Sequence, residues 1–352
     1  MHVPHRSQKD YQLIGGAADQ AMAKGLVNAE WYKCPVPRAT MKHLMQREDG
    51  HAIRDTALWY AVILGLGALF VYGWHTGWGA GALFLAYFAY ATVYCSPADS
   101  RWHESSHGTA FKTRWMNDLL YQFACFQVLR RPTRWRWSHA RHHTDTLVTG
   151  RDPEIAAPLP TDLVGTLLNV FAIKNAPKEL LAVLRNACGS ISTEEKTFVP
   201  SMEWPSMVKE ARIWVLLYAL VIGSAVALHS WLPVLLVGPL PGMLGAWLYT
   251  YTGLTQHAGL PENVLDHRLN CRTVYMNPVL RFLYWNMNYH VEHHMFPMVP
   301  YHALPRLHEV IKSDCPPPYR STIEAYAEIF PALMRQARDP YHYVVRPVPA
   351  AA

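Results

Sequence analysis

Formal charge vanishes from two long stretches of this chain: no Asp, Glu, Lys or Arg occurs from Ala57 to Pro97, nor from Ile213 to Pro261. Each stretch is too long for one crossing of a bilayer, whose hydrocarbon core takes about 20 helical residues. Each fits a helical hairpin, which predicts four spans at 57–74, 78–96, 212–228 and 232–252. The turns between paired spans, Gly73 to Gly79 and His229 to Pro233, are short and uncharged and face the outside. All Lys and Arg residues then share one side, which the positive-inside rule makes cytoplasmic. The expected fold class is an all-α membrane protein whose cytosolic helical cap carries the chemistry.

The rest of the chain divides around these hairpins. Residues 1–55 read as a polar cytosolic segment, 56–310 as the membrane domain and 311–352 as a cytosolic tail. Two apolar but short pieces, Met116 to Leu129 and Leu163 to Ile173, read as interfacial or re-entrant. A capping signal stands at Ser192-Thr193-Glu194-Glu195.

Composition refines the picture. Hydrophobic residues make up 51% of the 352, with 13 Trp and 19 Tyr. The mean hydropathy of −0.03 averages apolar hairpins with a larger polar remainder. The net charge of +6 suits anionic lipid head groups or an acidic protein partner and does not imply nucleic acid. Six cysteines without a CxxC pair read as reduced thiols on the cytosolic side. The opening MHVPHRSQKDYQ has no apolar run beside a cleavage site, so the first hairpin is expected to target the chain.

Chemistry enters with histidine. Eight of the 19 fall in three tight clusters: His103 and His107 in WHESSHG, His139, His142 and His143 in WSHARHH, and His290, His293 and His294 in NYHVEHHMFP. Imidazoles at i, i+3 and i+4 project from one helix face, and neutral imidazole is a strong ligand for iron, copper or zinc. A ninth candidate, His257, ends the last predicted span. Others, such as His2, His75 and His229, read as surface or packing residues. Glu104, Asp145, Asp152, Glu154 and Glu292 are candidates to accept the second ring N–H of a ligand. Asn286 and Asn288 are candidates to hold a metal-bound water. Two metals on nitrogen ligands suit dioxygen activation, sharing the electrons that cleave O–O and leaving an oxidant able to abstract hydrogen from an unactivated C–H bond.

At these residues the sequence resembles the membrane fatty acid desaturase and hydroxylase superfamily, whose pattern is HxxxH, HxxHH and HxxHH in this order. The resemblance covers about residues 55 to 310, and EHHMFPMVPYHALPRL looks like the third box and following loop of bacterial acyl-lipid desaturases. It implies four transmembrane helices under a cytosolic cap and a non-haem centre of two iron ions using O2. The implied ligands are His103, His107, His139, His142, His143, His290, His293 and His294, and His257 matches the further histidine of acyl-CoA desaturases. Those enzymes carry Asn four residues earlier, where this chain has Gly253, a departure that counts against an acyl-CoA substrate. Looser similarity extends to dihydrorhizobitoxine desaturase and to alkene-forming decarboxylases, so hydroxylation and decarboxylation stand beside desaturation. The implied location is a bacterial inner membrane with the site on the cytoplasmic side.

No dinucleotide fingerprint or fused haem domain accompanies the boxes, so a separate electron donor, such as a ferredoxin and its reductase, is expected. Arg130, Arg131, Arg134, Arg136 and Arg141, interleaved with Trp135 and Trp137, offer a basic surface for it. Two rivals of other classes remain. His103-Glu104-Ser105-Ser106-His107 also reads HExxH, the pattern of zinc hydrolases with Glu as general base. A metal transporter or sensor is the other, although polar ligands would then be expected inside the spans.

Overall fold

The computed structural model describes residues 9–155 and 157–349, so His2 lies outside the described residues. These residues form helices and no strands, with only the isolated bridges Thr273–Tyr289 and Val274–Tyr319. Two short helices, α1 (Gly16–Ala23) and α2 (Arg38–Leu44), lead into α3 (Asp49–His75). α3 starts well before 57, because Asp49 accepts hydrogen bonds from the Thr113 N–H at 2.9 Å and hydroxyl at 2.7 Å, anchoring a polar first turn. Gly77, at φ 72°, reverses the chain into α4 (Ala80–Cys95), which packs back against α3.

The helix of the second predicted span does not continue into the first histidine cluster. α4 gives way to a 3-10 turn at Ser96–Asp99, and α5 (Arg101–Ser106) starts anew after Ser100. Pro97 is the physical reason, since it has no N–H to continue the helical ladder. α5 is fixed instead by Arg101. Its fully buried guanidinium lies 4.6 Å from the Trp59 ring centre and 4.8 Å from that of Trp285, and donates to the Leu283 carbonyl at 3.1 Å.

Four helices follow: α6 (Arg114–Gln127), α7 (Pro132–Thr144), α8 (Leu163–Asn169) and α9 (Asn175–Ala187). α6 exposes Trp115, Leu119 and Phe123 on one side and buries Leu120, Tyr121 and Ala124 on the other. The capping signal forms, with Ser192 donating to Glu195 at 2.8 Å and the Glu195 N–H returning to the serine hydroxyl at 3.2 Å. It caps only a 3-10 turn of 3 residues.

The second hairpin comprises α10 (Trp204–Ala227), α11 (Leu232–Leu236) and α12 (Pro239–His257). The fourth predicted span is therefore not one continuous helix. Gly238, at φ 100°, breaks it, and Pro239 and Pro241 restart it as a longer helix that carries His257 at its end. Three segments, Arg38–His75, Ser201–Ala227 and Leu232–His257, are long and apolar enough to cross a membrane. α4 has 16 residues. That reaches about 24 Å at 1.5 Å per residue, short of a hydrocarbon core of about 30 Å.

α4 is nonetheless the centre of the apolar bundle, packed between α3 and α12. The approach to α12 depends on Gly245, where a Cβ would stand 1.9 Å from the Ala91 carbonyl oxygen. The remaining helices are α13 (His267–Asn270), α14 (Pro278–Tyr284), α15 (His290–Met295), α16 (Leu304–Ile311) and α17 (Thr322–Gln336). Residues before 55 and after 310 pack into the same core as the boxes: Cys34, Leu44 and Ala52 share a cluster with Met295, Ile311 and Cys315.

Candidate metal centre

Three short helices and the end of a fourth deliver the histidines. His103 and its C-cap His107 come from α5, His139, His142 and His143 from the last two turns of α7, His290, His293 and His294 from α15, and His257 from α12. α15 is held in place by the preceding turn, where Trp285 and Asn286 adopt φ of 49° and 54° and the Trp285 ring stacks on Tyr301 at 4.2 Å. Left-handed backbone is uncommon for such residues and persists only where packing fixes it.

The structure brings the nine imidazoles into two adjoining groups. In the first, one nitrogen from each of His103, His107, His139, His143 and His293 lies within 4.8 Å of all the others. The Nε2 atoms of His103 and His293 are 2.7 Å apart, those of His107 and His139 3.2 Å, and those of His139 and His143 3.1 Å. In the second, His142, His257 and His294 meet the same criterion, and His290 adds its Nε2 at 3.0 Å from that of His257. His103, His139, His142, His290, His293 and His294 are buried, and the other three half-buried.

The outer nitrogens decide which atoms face inward. His139 sets its Nδ1 on Glu154 at 3.0 Å, His142 on Asp152 at 2.8 Å, and His257 on the Asn270 carbonyl at 2.8 Å. With the proton held on Nδ1 by such acceptors, Nε2 presents a lone pair. Lone pairs of neutral imidazoles about 3 Å apart repel, so this convergence suits a cation at their centre. Burial, reinforced by neighbouring imidazoles, keeps His103, His107, His143, His290, His293 and His294 well below the ordinary value of 6.5. The neutral form, the one that ligates, is thereby favoured. His142 is the exception: burial lowers its pKa, but Asp152 and the hydrogen bond to it outweigh that and push it up to about 9. Burial would raise Glu154, yet His139 brings it down to about 2.

Several sequence-picked partners are engaged elsewhere. Asp145, the buried C-cap residue of α7, pairs with Arg151 at 3.1 Å and Arg141 at 3.6 Å rather than with a histidine. Glu104, one residue on from His103, faces a different side of α5; it accepts the Tyr301 N–H at 3.0 Å, and burial pushes it up to about 7. It thus lacks the position the zinc-hydrolase reading requires. Glu292 accepts from Thr273 at 2.6 Å and from Nδ1 of His308, a histidine outside the boxes. Asn286 is taken by Arg281 at 3.0 Å and by the Tyr301 carbonyl at 3.0 Å, whereas Asn288 donates to the Val274 carbonyl at 2.8 Å and keeps a buried Oδ1 without a partner.

The arginine surface also turns inward. Arg130 is buried on Asp99 at 2.8 Å, with its guanidinium 4.3 Å from the Trp102 ring centre. Arg131 is buried between Glu195 and Glu179. Arg134 lies over Trp135, Arg136 pairs with Asp118 at 3.1 Å, and Arg141 reaches Asp145 and the Thr197 carbonyl. Arg130 and Arg131 are thus spent on buried acidic partners, whereas Arg136 and Asp118 pair at the surface. Sequence reading passed over Asn270, and over Thr146, which contacts His294 Nδ1 at 3.1 Å. Only the spacing of Thr146, four residues after His142, hinted at a shared helix face.

Compared with known proteins, the chain matches the family model described as fatty acid desaturase over residues 76–326, a stretch that contains all nine histidines. No curated protein matches it.

Proposed function

The chain belongs to the fatty acid desaturase family, which makes it an oxidoreductase, and from that premise we propose that it desaturates a fatty acyl or other apolar chain held in the membrane. The observation that carries this reading is the pair of adjoining imidazole groups, with the outer nitrogens of His139, His142 and His257 already bound. His103, His107, His139, His143 and His293 would hold one iron, and His142, His257, His290 and His294 the other. Iron so bound supplies, with O2, the oxidising power to remove hydrogen from an unactivated C–H bond. The chain's own residues do the rest. Glu154 and Asp152 aim their imidazoles and fix the tautomer, and burial of both groups excludes bulk water.

The membrane arrangement we propose has four crossings, with α4 completed by the 3-10 turn at Ser96–Asp99 and α11 and α12 together forming the last. His103 follows α4 and His257 ends α12, so both groups sit at the same end of the bundle, on the cytoplasmic side of a bacterial inner membrane by the distribution of Lys and Arg. An apolar substrate partitions into the bilayer and reaches the site from that side. Electrons come from a separate donor, a ferredoxin with its reductase, docking elsewhere than on Arg130 and Arg131. Hydroxylation and decarboxylation begin with the same hydrogen abstraction, so the product decides among them. Mass spectrometry of lipids and metabolites from cells expressing the chain, beside a His142→Ala control, tests this. A product lighter by two hydrogens supports desaturation, one added oxygen means hydroxylation, and purified protein holding zinc but no iron would overturn the reading.

A further inference from the structure

Beside the second histidine group lies another candidate ligand set, which shares His294 with that group and adds two side chains from outside the three boxes. His267, Cys271 and His294 are each buried, and one ligand atom from each lies within 4.8 Å of the other two. His267 opens α13 and Cys271 follows its last residue, with the Cys271 N–H bonded to the His267 carbonyl at 3.0 Å. The thiol is surrounded by imidazole: its Sγ is 3.7 Å from His257 Nδ1 and 3.9 Å from His267 Nδ1. Buried His294 Nε2 has no hydrogen-bond partner.

This corner is rigidly held. The Trp31 indole stacks on the His267 ring at 4.3 Å and 8°. The next residue, Arg268, is clamped by Asp266 at 2.8 Å and Asp314 at 2.9 Å and lies 3.6 Å from the Tyr32 ring centre. A side chain fixed on both flanks is pre-arranged for a ligand rather than free to relax away from one.

Two imidazoles and a thiol form a softer donor set than the all-nitrogen groups beside it. Such a set, with a fourth position open, suits tetrahedral zinc more than iron, and zinc also stands above ferrous iron in general affinity order. We propose that His267, Cys271 and His294 form a thiolate-containing site for Zn2+ that draws His294 away from the second histidine group and so lets zinc displace the iron there. Binding converts the Cys271 thiol to a zinc-bound thiolate and releases one proton to solvent. The displacement rests on the reading of the second group as an iron site, whereas the zinc site itself does not.

The test adds zinc chloride to the iron-loaded full-length protein and measures both metals by plasma mass spectrometry, with zinc-edge X-ray absorption to identify its neighbours. The expected result is one tightly bound zinc with a sulfur neighbour, together with loss of about half of the iron. Cys271→Ser and His267→Gln should each retain iron and turnover in the absence of zinc. Both should weaken zinc binding at least about tenfold, and Cys271→Ser should remove the sulfur neighbour. Zinc bound by nitrogen and oxygen alone in the unaltered protein, or a sulfur neighbour that survives Cys271→Ser, overturns the proposal. A zinc–sulfur signal in protein that never holds iron would leave this site standing and refute the iron reading instead.

Discussion

Replacing Asp152 with Asn tests how far the outer hydrogen bonds govern the second histidine group. The Asp152 carboxylate is enclosed and accepts three bonds: His142 Nδ1 and the Leu147 N–H on Oδ2, and the Glu154 N–H on Oδ1, all at 2.8 Å. An amide has the same shape but only one acceptor end. Its better orientation keeps oxygen toward His142 and Leu147 and turns NH2 against the Glu154 N–H. That leaves a buried donor unpaired at a cost of about 1–3 kcal/mol. It also removes the negative charge that makes His142 Nε2 a strong donor, and lost partners of this kind weaken metal binding about 10–100-fold. The expected outcome is protein that folds and inserts but holds close to one iron rather than two, with turnover nearly lost because the proposed chemistry needs both. Iron content after dialysis against a graded chelator series measures it. Asp152→Asn protein that keeps both irons through the same series as the unaltered chain would refute the reasoning, while Asp145→Asn, whose partners are Arg141 and Arg151, should leave iron content unchanged.

Other outcomes follow from the packing and the charges. Gly245→Ala places a Cβ 1.9 Å from the Ala91 carbonyl oxygen, so α4 and α12 must separate, whereas Gly81→Ala meets nothing within 4 Å. The first should lower thermal stability in detergent by about 1–3 kcal/mol and the second should not, as read by tryptophan fluorescence on heating. Burial would raise the Glu195 carboxyl, but Arg131 and the Ser192 bonds hold it at about 2 against an ordinary 4.5. Its contribution is therefore full above 4.5 and is lost as pH falls toward 2, and Glu195→Gln should flatten the stability profile across that window. Chelation of bound metal should expose α5, α7 and α15 to hydrogen exchange while leaving α3 and α10 protected, because only the former would lose the bonds that the metal supplies.

The parts of this molecule that follow from local spacing could be read directly from its sequence. An i, i+3, i+4 run of histidines needs only helical geometry to share a face, and α5, α7 and α15 supply it. The two charge-free stretches announced the bundle, yet the way their helices end did not follow from hydropathy. Pro97 and Gly238 interrupt them through backbone chemistry inside otherwise apolar segments. Long-range pairing was the least legible level. Arg130 and Arg131 look like surface charge until Asp99, Glu179 and Glu195 are brought to them by the fold. The choice between Asp145 and Glu154 as a histidine partner turns likewise on the path of one loop, which composition does not encode.

The wide separation of the histidines along the chain dictates when the centre can be filled. His103 meets His293 across 190 positions, and His142 meets His257 and His294 only once the second hairpin has folded back. During biosynthesis, then, neither group is complete until the last box has left the ribosome, so the metal of the proposed centre would be delivered late.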